Sequence, residues 1–490
     1  MARAQVHFLL NGRPQTVTAP DPTLSVLAYL RYDKGKTGTK EGCAEGDCGA
    51  CTIVVGTAGD DGAVRYEAVN ACIMFVPFLD GKAVWTVEGV RGADGGLHPV
   101  QQALVDCHGS QCGFCTPGFV MTLFAAYLNG GTQDGQPWYD ELAGNLCRCT
   151  GYGPILAAAA RVGDYPEPPA PDEADALAAL PTGDLLGYRY VCPLSGRTRH
   201  YFAPTTPDAL AGLAADHPGA TFVAGATDVG LWVTKQHRAL ETVISVRSAG
   251  LDRVTDSGTA VRLEAGVSLT GARRVLGPLY PDLDELLRRF ASVQIRNSGT
   301  LGGNIANGSP IGDSMPALIA LGATLVLRHG DNRRRMPLED FFLDYGKQDR
   351  RPGEIVEAVE VPKPRPGQLF RAYKISKRFD QDISAVCGCF SVVLDQGQVT
   401  EARLCYGGMA GTPRRAAQAE AALTGQWWSD ETIGRAMAAL ANDFTPLNDM
   451  RASASYRLTV AQNLVQKMFL ESQEGAPATR VLAAREAAYG

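Results

Sequence analysis

The chain has 490 residues, 45% of them hydrophobic and 20% charged, which is enough for several buried cores and for about three domains. The net charge is −6 and the lysines and arginines are scattered, so the one-sided basic face that binds nucleic acid is not expected. The first residues contain no long apolar run, and no window reaches the roughly 18 apolar residues of a membrane span. A cytoplasmic protein without membrane or nucleic-acid partners is predicted.

Thirteen cysteines are the most informative feature of the composition, and nine of them precede residue 150. A disulfide framework is typical of small secreted domains, and the chain shows no sign of being one. Metal or redox chemistry, concentrated in the first third of the chain, is therefore favoured.

The first 90 residues read as an α+β module. An Asn-Gly turn at 11–12 between two β-like runs predicts a hairpin. A short helix capped near Asp21 or Thr23 should follow, and the residues "CTIVV" after a glycine-rich cysteine loop predict another strand.

From His98 the apolar period becomes helical, and Gly109 is expected to close this first helix. A second helix is predicted with Thr116 as its N-cap and Pro117 at the first helical position. A third begins at Pro154 in the same way. The second module is therefore predicted to be an all-helical bundle.

Residues 164–184 carry five prolines and many acids without a steady apolar period, which is typical of a linker. Mixed α/β patterns follow to about residue 365. The rest predicts a hairpin at 385–408 and then helices starting at 412–413, near Ser429 and near Ser453, in a separate α+β subdomain packed on the third module.

The first cysteine group has the spacing Cys43-x4-Cys48-x2-Cys51, with Cys72 twenty-one residues after the last of these. This is the plant-type spacing for a 2Fe–2S cluster. An anionic cluster needs backbone N–H groups close to its sulfurs, and glycines let the backbone approach. A zinc site is the alternative, although zinc usually takes paired Cys-x2–4-Cys knuckles.

The second group consists of Cys112-x2-Cys115 and Cys147-x-Cys149. Each pair lies just before a predicted proline-initiated helix, whose positive end stabilises thiolates. The spacing favours a second cluster over a zinc site or a redox-active Cys-x-x-Cys pair.

Three further cysteines, Cys107, Cys387 and Cys389, fit ordinary core packing, because free cysteine behaves as a small buried hydrophobe. Two glycine-containing segments, "FVAGATDVG" at 222–230 and "SGTLGGNIANGSPIGDSMPA" at 298–317, are candidate anion-binding loops. Neither matches the Rossmann or Walker pattern, so an ordinary turn and a nucleotide-cofactor loop both stay open.

Three stretches, "GCAEGDCGACT", "SQCGFCTPGF" and "GNLCRCTGYGPI", resemble in this order the two-cluster region of the xanthine dehydrogenase family of molybdenum hydroxylases. The two glycine segments are similar to that family's FAD-binding loops, and "RASASYRLTVAQNL" is similar to the last helix of its flavoprotein part. The resemblance covers nearly the whole chain except the linker.

The resemblance implies a multidomain α+β fold. Its parts would be a β-grasp ferredoxin-like domain at 1–90, an all-α 2Fe–2S bundle at 91–163, a linker at 164–195, an FAD-binding α+β domain of the vanillyl alcohol oxidase (PCMH/VAO) type at 196–366, and a C-terminal α+β flavoprotein domain, of the CO dehydrogenase type, at 367–490.

The resemblance also implies residue roles. Cys43, Cys48, Cys51 and Cys72 would hold one cluster, and Cys112, Cys115, Cys147 and Cys149 the cluster nearer molybdenum. Gln111 would touch the molybdopterin, Lys374 would lie by the flavin, and both are the candidate catalytic residues. The remaining FAD contacts would be Phe222, Val223, Ala224, Gly225, Ala226, Thr227, Asp228, Val229, Thr300, Leu301, Gly302, Gly303, Asn304 and Asp313, with Phe290 and Val356 flanking the adenine or belonging simply to the core.

The expected function is that of the small, electron-transfer subunit of such an enzyme, in a dimer of heterodimers. A molybdenum-binding large subunit would hydroxylate the substrate, most simply hypoxanthine or xanthine to urate, and electrons would pass through both clusters to FAD and then to NAD+. The same subunit of an aldehyde-, carbon monoxide- or N-heterocycle-oxidising enzyme, a free-standing NADH-dependent reductase, and a zinc-stabilised interaction module are the alternatives.

Overall fold

The computed structural model describes residues 2–59, 61–92, 95–169, 171–183, 185–476 and 479–482. They form two compact units, the first built from Met1–Leu251 with Ala291–Thr300 and the second from Asp252–Phe290 with Leu301–Gly490. The predicted multidomain α+β class is confirmed. Residues 170 and 184 of the predicted linker, and residues 477–478 and 483–490 of the predicted C-terminal domain, lie outside the described residues.

The first unit begins with a five-stranded β-grasp sheet. The predicted hairpin is confirmed, and Gln5–Leu10 also pairs in parallel with Ala83–Trp85. In order across the sheet the strands are Arg13–Thr18, Gln5–Leu10, Ala83–Trp85, Thr52–Ala58 and Val64–Asn70. The sheet buries Val6, Phe8 and Ile53 completely, and these residues belong to the core cluster that also contains Cys51 and Cys72.

The helices of the first unit surround this sheet and a smaller one. The smaller, four-stranded sheet has the order Leu186–Val191, Thr198–Ala203, Thr242–Ser245 and Thr221–Val223, the last two pairings being parallel. The helices of at least six residues are Pro99–Asp106, Thr116–Leu128, Gly153–Arg161, Pro207–Asp216, Val229–Thr234 and Val293–Ser298. The shorter helical segments are Val26–Ala28, Tyr29–Asp33, Val76–Leu79, Val87–Gly89, Gln133–Gly135, Trp138–Glu141, Val162–Asp164, Ala174–Ala178 and Arg247–Ala249.

The segment predicted as a linker has structure of its own, because it includes the helix Ala174–Ala178 and the strand Leu186–Val191. Leu177 is buried, and Glu173 accepts hydrogen bonds from Tyr66 at 3.2 Å and from Trp85 at 3.0 Å. One apolar side chain and one buried acid therefore fix a stretch whose composition alone suggests a free chain.

The second unit contains three antiparallel sheets. The largest has the order Val254–Asp256, Ala260–Glu264, Ile355–Pro362, Thr324–His329 and Asn332–Pro337, and the next Gln368–Ile375, Val386–Asp395, Gln398–Gly407 and Arg414–Arg415. A small hairpin joins Phe342–Asp344 to Lys347–Gln348. The helices are Leu269–Leu276, Pro281–Arg288, Leu301–Asn307, Ser314–Ala320, Leu338–Phe341, Ala417–Leu423, Asp430–Asp443 and Ala454–Glu471.

Core packing ties the C-terminal part to the rest of the second unit, as predicted. Phe370, Cys387, Cys389 and Cys405 share one buried cluster with Leu263 and many other residues of the region before 366. The prediction that Cys387 and Cys389 are core residues is confirmed, since each is at most 1% exposed.

Several predicted element starts were wrong by a few residues. Ser25 caps the first helix by accepting from the amide of Ala28, while Asp21 accepts from the amide of Thr23 in a preceding turn. Thr116 is the first residue of its helix and not its N-cap. After 412–413 the chain first adds the strand Arg414–Arg415 to the sheet, so the helix begins only at Ala417. The helices capped by Ser429 and Ser453 begin as predicted.

The predicted closure of the helix Pro99–Asp106 by Gly109 is half right. Gly109 donates its amide to the carbonyl of Leu104 at 2.8 Å, as the last residue of a helix-ending turn does. The left-handed position, however, is occupied by His108, with φ of 54°.

Candidate functional site

Amides of the first cysteine loop point at its sulfurs. The amides of Cys43 and Cys48 each donate to the other residue's Sγ at 3.3 Å, and the amide of Glu45 donates to Cys43 Sγ at 3.5 Å. Backbone N–H groups directed at sulfur stabilise thiolates and the anionic cluster that they would ligate.

Three glycines make this loop possible. A Cβ on Gly42 would lie 2.8 Å from Cys48 Sγ, so a side chain there would push the sulfur away. Gly46 and Gly49 have φ of +85° and +69°, a conformation that favours glycine. The loop is thus folded closely around its sulfurs, as the glycine-rich sequence predicts.

Cys51 and Cys72 form the buried side of the first group, each being 2% exposed. Cys72 follows the strand Val64–Asn70. The side chain of Asn70 accepts from the Cys51 thiol at 3.7 Å and donates to the carbonyl of Gly46 at 2.8 Å. A hydrogen bond with the Cys51 side chain, followed by burial, raises the pKa of the Cys72 thiol.

The contact between the thiols of Cys43 and Cys48 shifts their pKa values in opposite directions. Donation from Cys48 lowers the pKa of Cys43 to about 5, with help from the amides of Glu45, Cys48 and Asp47 and against the effect of burial. The pKa of Cys48 is raised by the same contact. The amides around Cys43 thus favour the thiolate form that a cluster ligand requires.

The second cysteine group lies at the starts of two helices. Cys112 and Cys115 precede Thr116–Leu128, and Cys147 and Cys149 precede Gly153–Arg161. Cys112 and Cys149 are exposed, and a hydrogen bond with Cys112 raises the pKa of Cys149. Burial and then a hydrogen bond with Cys147 raise the pKa of Cys115 to about 12. The group is thus arranged as two neighbouring pairs.

Polar groups also surround Cys147, whose Sγ accepts from Thr150 Oγ1 at 3.1 Å and from the Thr150 amide at 3.5 Å. Its own amide donates to the hydroxyl of Tyr152 at 3.1 Å. Burial opposes ionisation, but the hydrogen bonds from Thr150 lower the pKa of the Cys147 thiol. The donor set suits a cluster ligand.

In the part of the chain that the structure describes, no three His, Cys, Asp or Glu side chains converge as the ligands of one metal ion. A two-iron cluster takes four thiolates, two on each iron.

The predicted FAD loop of the first unit joins the strand Thr221–Val223 to the helix Val229–Thr234. A Cβ on Gly225 would lie 1.9 Å from the carbonyl oxygen of Ser298, so only glycine fits there. Ala226 has φ of 59°, and its carbonyl accepts from the amide of Gly230 at 2.7 Å. The other predicted contacts in this unit are Phe222, Val223, Ala224, Thr227, Asp228, Val229 and the buried Thr300.

The second unit holds the remaining predicted FAD residues. Leu301, Gly302, Gly303 and Asn304, which were predicted to lie in a loop, begin the helix Leu301–Asn307 instead. Close packing explains one glycine of this motif: a Cβ on Gly302 would lie 2.4 Å from the Cβ of Ala265.

Two of the predicted flavin residues, Asp313 and Lys374, are paired with each other. Lys374 Nζ lies 2.6 Å from Asp313 Oδ2, and both side chains are at most 3% exposed. Ser384 Oγ accepts from Lys374 at 2.9 Å and donates to Asp313 at 2.7 Å. A charged pair this well bonded is a rigid group that could fix a polar ligand.

The structure places the last three predicted residues in different surroundings. Val356 is 8% exposed and belongs to the main core of the second unit, and Phe290 packs against the same core. Gln111 is exposed and directly precedes Cys112. Their roles stay predictions.

Four family models match most of the chain. They are the 2Fe-2S iron-sulfur cluster binding domain at 8–77, the 2Fe-2S binding domain at 86–160, the FAD binding domain in molybdopterin dehydrogenase at 196–364, and the CO dehydrogenase flavoprotein C-terminal domain at 371–472. The chain belongs to the molybdenum hydroxylase family. It carries the two iron–sulfur domains and the FAD-binding domain, which form the electron-transfer part of these oxidoreductases.

Curated relatives agree with this assignment. The chain is 31% identical to a xanthine dehydrogenase of Dictyostelium discoideum, and the match covers 90% of this chain. It is 33% identical to the xanthine dehydrogenase of Drosophila subobscura, with 94% of this chain covered, and 29% identical to aldehyde oxidase 4 of Cavia porcellus, with 95% covered. It spans only 38–39% of the length of these three relatives.

Two solved structures resemble a little more than half of the chain. A chain of the carbon monoxide dehydrogenase from Hydrogenophaga pseudoflava is similar with a TM-score of 0.52 and 25% identity, covering 55% of this chain and 94% of that one. A chain of quinoline 2-oxidoreductase from Pseudomonas putida 86 is similar with a TM-score of 0.51 and 25% identity, covering 56% of this chain and 97% of that one.

Among the described residues, no helix is both long and apolar enough to cross a membrane.

Sequence reasoning missed the polar residues that support the candidate ligands, notably Ser384, Asn145 and Gln294. Asn145 stands two residues before Cys147, so its position could have suggested a supporting role. Ser384 contacts Asp313 across 71 positions, and Gln294 contacts Asn145 across 149, so no local pattern marks either residue.

Proposed function

We propose that the chain is the electron-transfer subunit of a xanthine dehydrogenase. Its partner is a molybdenum-bearing polypeptide that oxidises hypoxanthine and xanthine to urate, and the electrons reach NAD+ through this chain. Cys112, Cys115, Cys147 and Cys149 hold the cluster that receives them, and the first cysteine group holds the next cluster. When bound, the clusters carry single electrons and FAD converts them to the pair that NAD+ takes up as hydride.

The observation that carries this proposal is the contact between the first cysteine loop and the helix that follows the predicted FAD loop. Thr234, at the end of the helix that follows this FAD loop, donates to the carbonyl of Ala44 at 2.8 Å. Lys235 donates to the carbonyl of Cys43 and lies 3.6 Å from Glu45.

A second contact lies one turn earlier on the same helix. A Cβ on Gly230 would lie 2.7 Å from the Cβ of Ile73, the residue directly after Cys72. Two segments that carry cysteines of the first group therefore pack on the element that supports the flavin loop, as expected if electrons pass between these sites.

The second cysteine group opens to the surface instead. Cys112 and Cys149 are exposed, and the apolar side chains Phe114 and Tyr152 beside them are 47% and 38% exposed. Exposed apolar groups around two ligands suit a surface that a partner covers. We place the molybdenum-bearing partner here, with Gln111 facing its cofactor, in a dimer of heterodimers.

The substrate follows from the relatives and not from this chain. The curated relatives of at least 31% identity cited above are xanthine dehydrogenases, which favours purine oxidation. The proposed overall reaction converts xanthine, water and NAD+ to urate, NADH and a proton. The aldehyde and quinoline enzymes among the similar proteins make aldehydes and other N-heterocycles the alternative substrates.

The first experiment is the visible spectrum of the chain purified without air, before and after dithionite. Iron–sulfur absorption overlaid on a flavin band, both bleaching on reduction, is expected. A colourless protein with bound zinc would overturn the proposal.

The second experiment uses the complex with the molybdenum-bearing partner and the variant Cys112→Ser. Xanthine-driven flavin reduction should stop while NADH-driven flavin reduction persists, because only the first route needs the second cysteine group. Cys192→Ser, which changes a thiol outside both groups, is the matched control and should keep both activities. Equal loss of both in Cys112→Ser would contradict the proposed order. Faster reduction by an aldehyde or quinoline than by xanthine would shift the proposal to the alternative substrates.

A further inference from the structure

Two successive carbonyls of the first cysteine loop are bonded by two successive residues that lead into the second cysteine group. The side-chain Nδ2 of Asn145 donates to the carbonyl of Gly49 at 3.1 Å. The amide of Leu146 donates to the carbonyl of Cys48 at 3.0 Å. Leu146 is bonded covalently to Cys147. The route from Cys48 to Cys147 therefore runs through Leu146 and contains a single hydrogen bond.

Asn145 is held in place by a closed polar network. Its Oδ1 accepts from Thr122 Oγ1 at 2.7 Å and from Gln294 Nε2 at 3.1 Å, and its Nδ2 donates to Thr52 Oγ1 at 3.2 Å. Thr52 in turn donates to the carbonyl of Gly49 at 2.6 Å. These four side chains are at most 2% exposed, so each hydrogen bond lies out of reach of water and is costly to leave unmade.

Close backbone packing leaves this network little freedom to rearrange. A Cβ on Gly49 would lie 2.2 Å from the carbonyl oxygen of Gly144, and a Cβ on Gly118 would lie 2.3 Å from that of Gly49. The first cysteine loop, the helix Thr116–Leu128 and the segment before Cys147 thus meet at van der Waals distance.

Gln294 is the member of the network that comes from elsewhere in the sequence. It belongs to Ala291–Thr300, which lies inside the FAD-binding family match but is part of the first compact unit. Its Nε2 donates to Thr122 at 3.2 Å and to Asn145, whereas its Oε1 is buried without a hydrogen-bond partner among the described residues. The donor end of this amide is therefore what the fold uses.

We propose that Asn145 and Gln294 are positioning residues for electron transfer between the two cysteine groups. They hold Leu146 against the carbonyl of Cys48 and so fix a bonded route between ligand residues of the two groups. One electron leaves one site and arrives at the other, and no proton moves and no bond forms. This inference rests on the proposed function, since it assumes a cluster at each group.

The test compares Gln294→Leu and Thr122→Val with the parent chain. Leucine removes the Nε2 donor, and valine removes the Thr122 hydroxyl while keeping the shape of a β-branched residue. Gln418→Leu, at an exposed position of the second unit, is the matched control. The measurements are hydrogen exchange at the Leu146 amide, the electron paramagnetic resonance signal of each cluster, and the rate at which the two clusters equilibrate after one is reduced by a light pulse.

Both variants should retain the two cluster signals and their potentials. Exchange at the Leu146 amide should be about tenfold faster, which equals about 1.4 kcal/mol in the free energy of local opening. The two clusters should equilibrate more slowly than in the parent chain. The control should match the parent. Unchanged exchange and equilibration rates in Thr122→Val would overturn the inference, and this variant decides alone if Gln294→Leu does not fold. Absence of either cluster signal from the parent chain would instead refute the proposed function, so the two failures are distinguishable.

Discussion

The buried pair of Lys374 and Asp313 gives the sharpest test of the second unit. Their charged atoms are 2.6 Å apart, their side chains are 3% and 2% exposed, and Ser384 bonds both. Lys374→Met keeps the length and most of the volume of the side chain but removes its charge. Asp313 is then left as a buried carboxylate without its cation.

Breaking such a buried pair typically costs about 3–5 kcal/mol, because the remaining charge keeps its desolvation penalty without compensation. We expect a cost in this range for Lys374→Met, and a large cost for Asp313→Asn for the same reason. The double variant carries neither charge, so its loss of stability should be smaller than the summed losses of the two single variants by about 1–3 kcal/mol.

The assay is hydrogen exchange along the strand Gln368–Ile375 as a function of urea, because it reports local opening in a chain with more than one compact unit. Lys363→Met is the matched control. Lys363 lies 2.7 Å from Asp256, nearly the same separation, but the two side chains are 27% and 60% exposed. Loss of an exposed pair should cost less than about 1 kcal/mol. If Lys374→Met costs no more than Lys363→Met, the argument from burial is wrong.

Three further predictions follow from single residues of the first unit. Gly225→Ala should destabilise it by about 1–3 kcal/mol in urea unfolding, because the added Cβ meets the Ser298 carbonyl oxygen at 1.9 Å. Cys149→Ser should halve the bound iron measured by chemical analysis, since it removes a ligand of one of two clusters. Burial lowers the pKa of His98 from 6.5 to about 4, so below pH 6.5 the unfolded chain takes up a proton that the folded chain does not. The helix Pro99–Asp106, which His98 caps, should therefore lose about 1.4 kcal/mol of stability per pH unit as the pH falls from about 6.5 towards 4. Hydrogen exchange of this helix measures the loss.

Each of these predictions has its own control. Gly212→Ala lies on an exposed helical position with no atom within 4 Å, so it should stabilise by about 0.5–1 kcal/mol, and equal effects of both alanines would contradict the packing argument. Cys192→Ser should leave the iron content unchanged. His98→Asn can still cap the helix but does not titrate, so it should flatten the pH dependence, and a profile identical to the parent would refute the role of His98.

Local features of the fold were predictable from the sequence because their causes are local. The Asn-Gly turn, the serine caps at 429 and 453, and the spacing of the cysteines each act within a few residues. The errors also have local causes: Asp21 bonds its own turn instead of the helix, and the chain after 413 first adds two residues to a sheet edge.

Long-range contacts could not be predicted in the same way. Gln294 meets Asn145 across 149 positions, and Ser384 meets Asp313 across 71. Such partners are chosen by tertiary packing, which no single-sequence periodicity encodes. The cysteines were therefore identified from the sequence, while most of the side chains that hold their loops were not.

The discontinuous make-up of the first unit has a practical consequence for dissecting the protein. Ala291–Thr300 returns to this unit after the chain has left it at Leu251, and it brings Gln294 into a buried polar network. A fragment ending at residue 251 would therefore keep every cysteine of both groups but lose the residue that completes the network between them. Such a fragment should gain protection when a peptide spanning 291–300 is added in trans, as in fragment complementation.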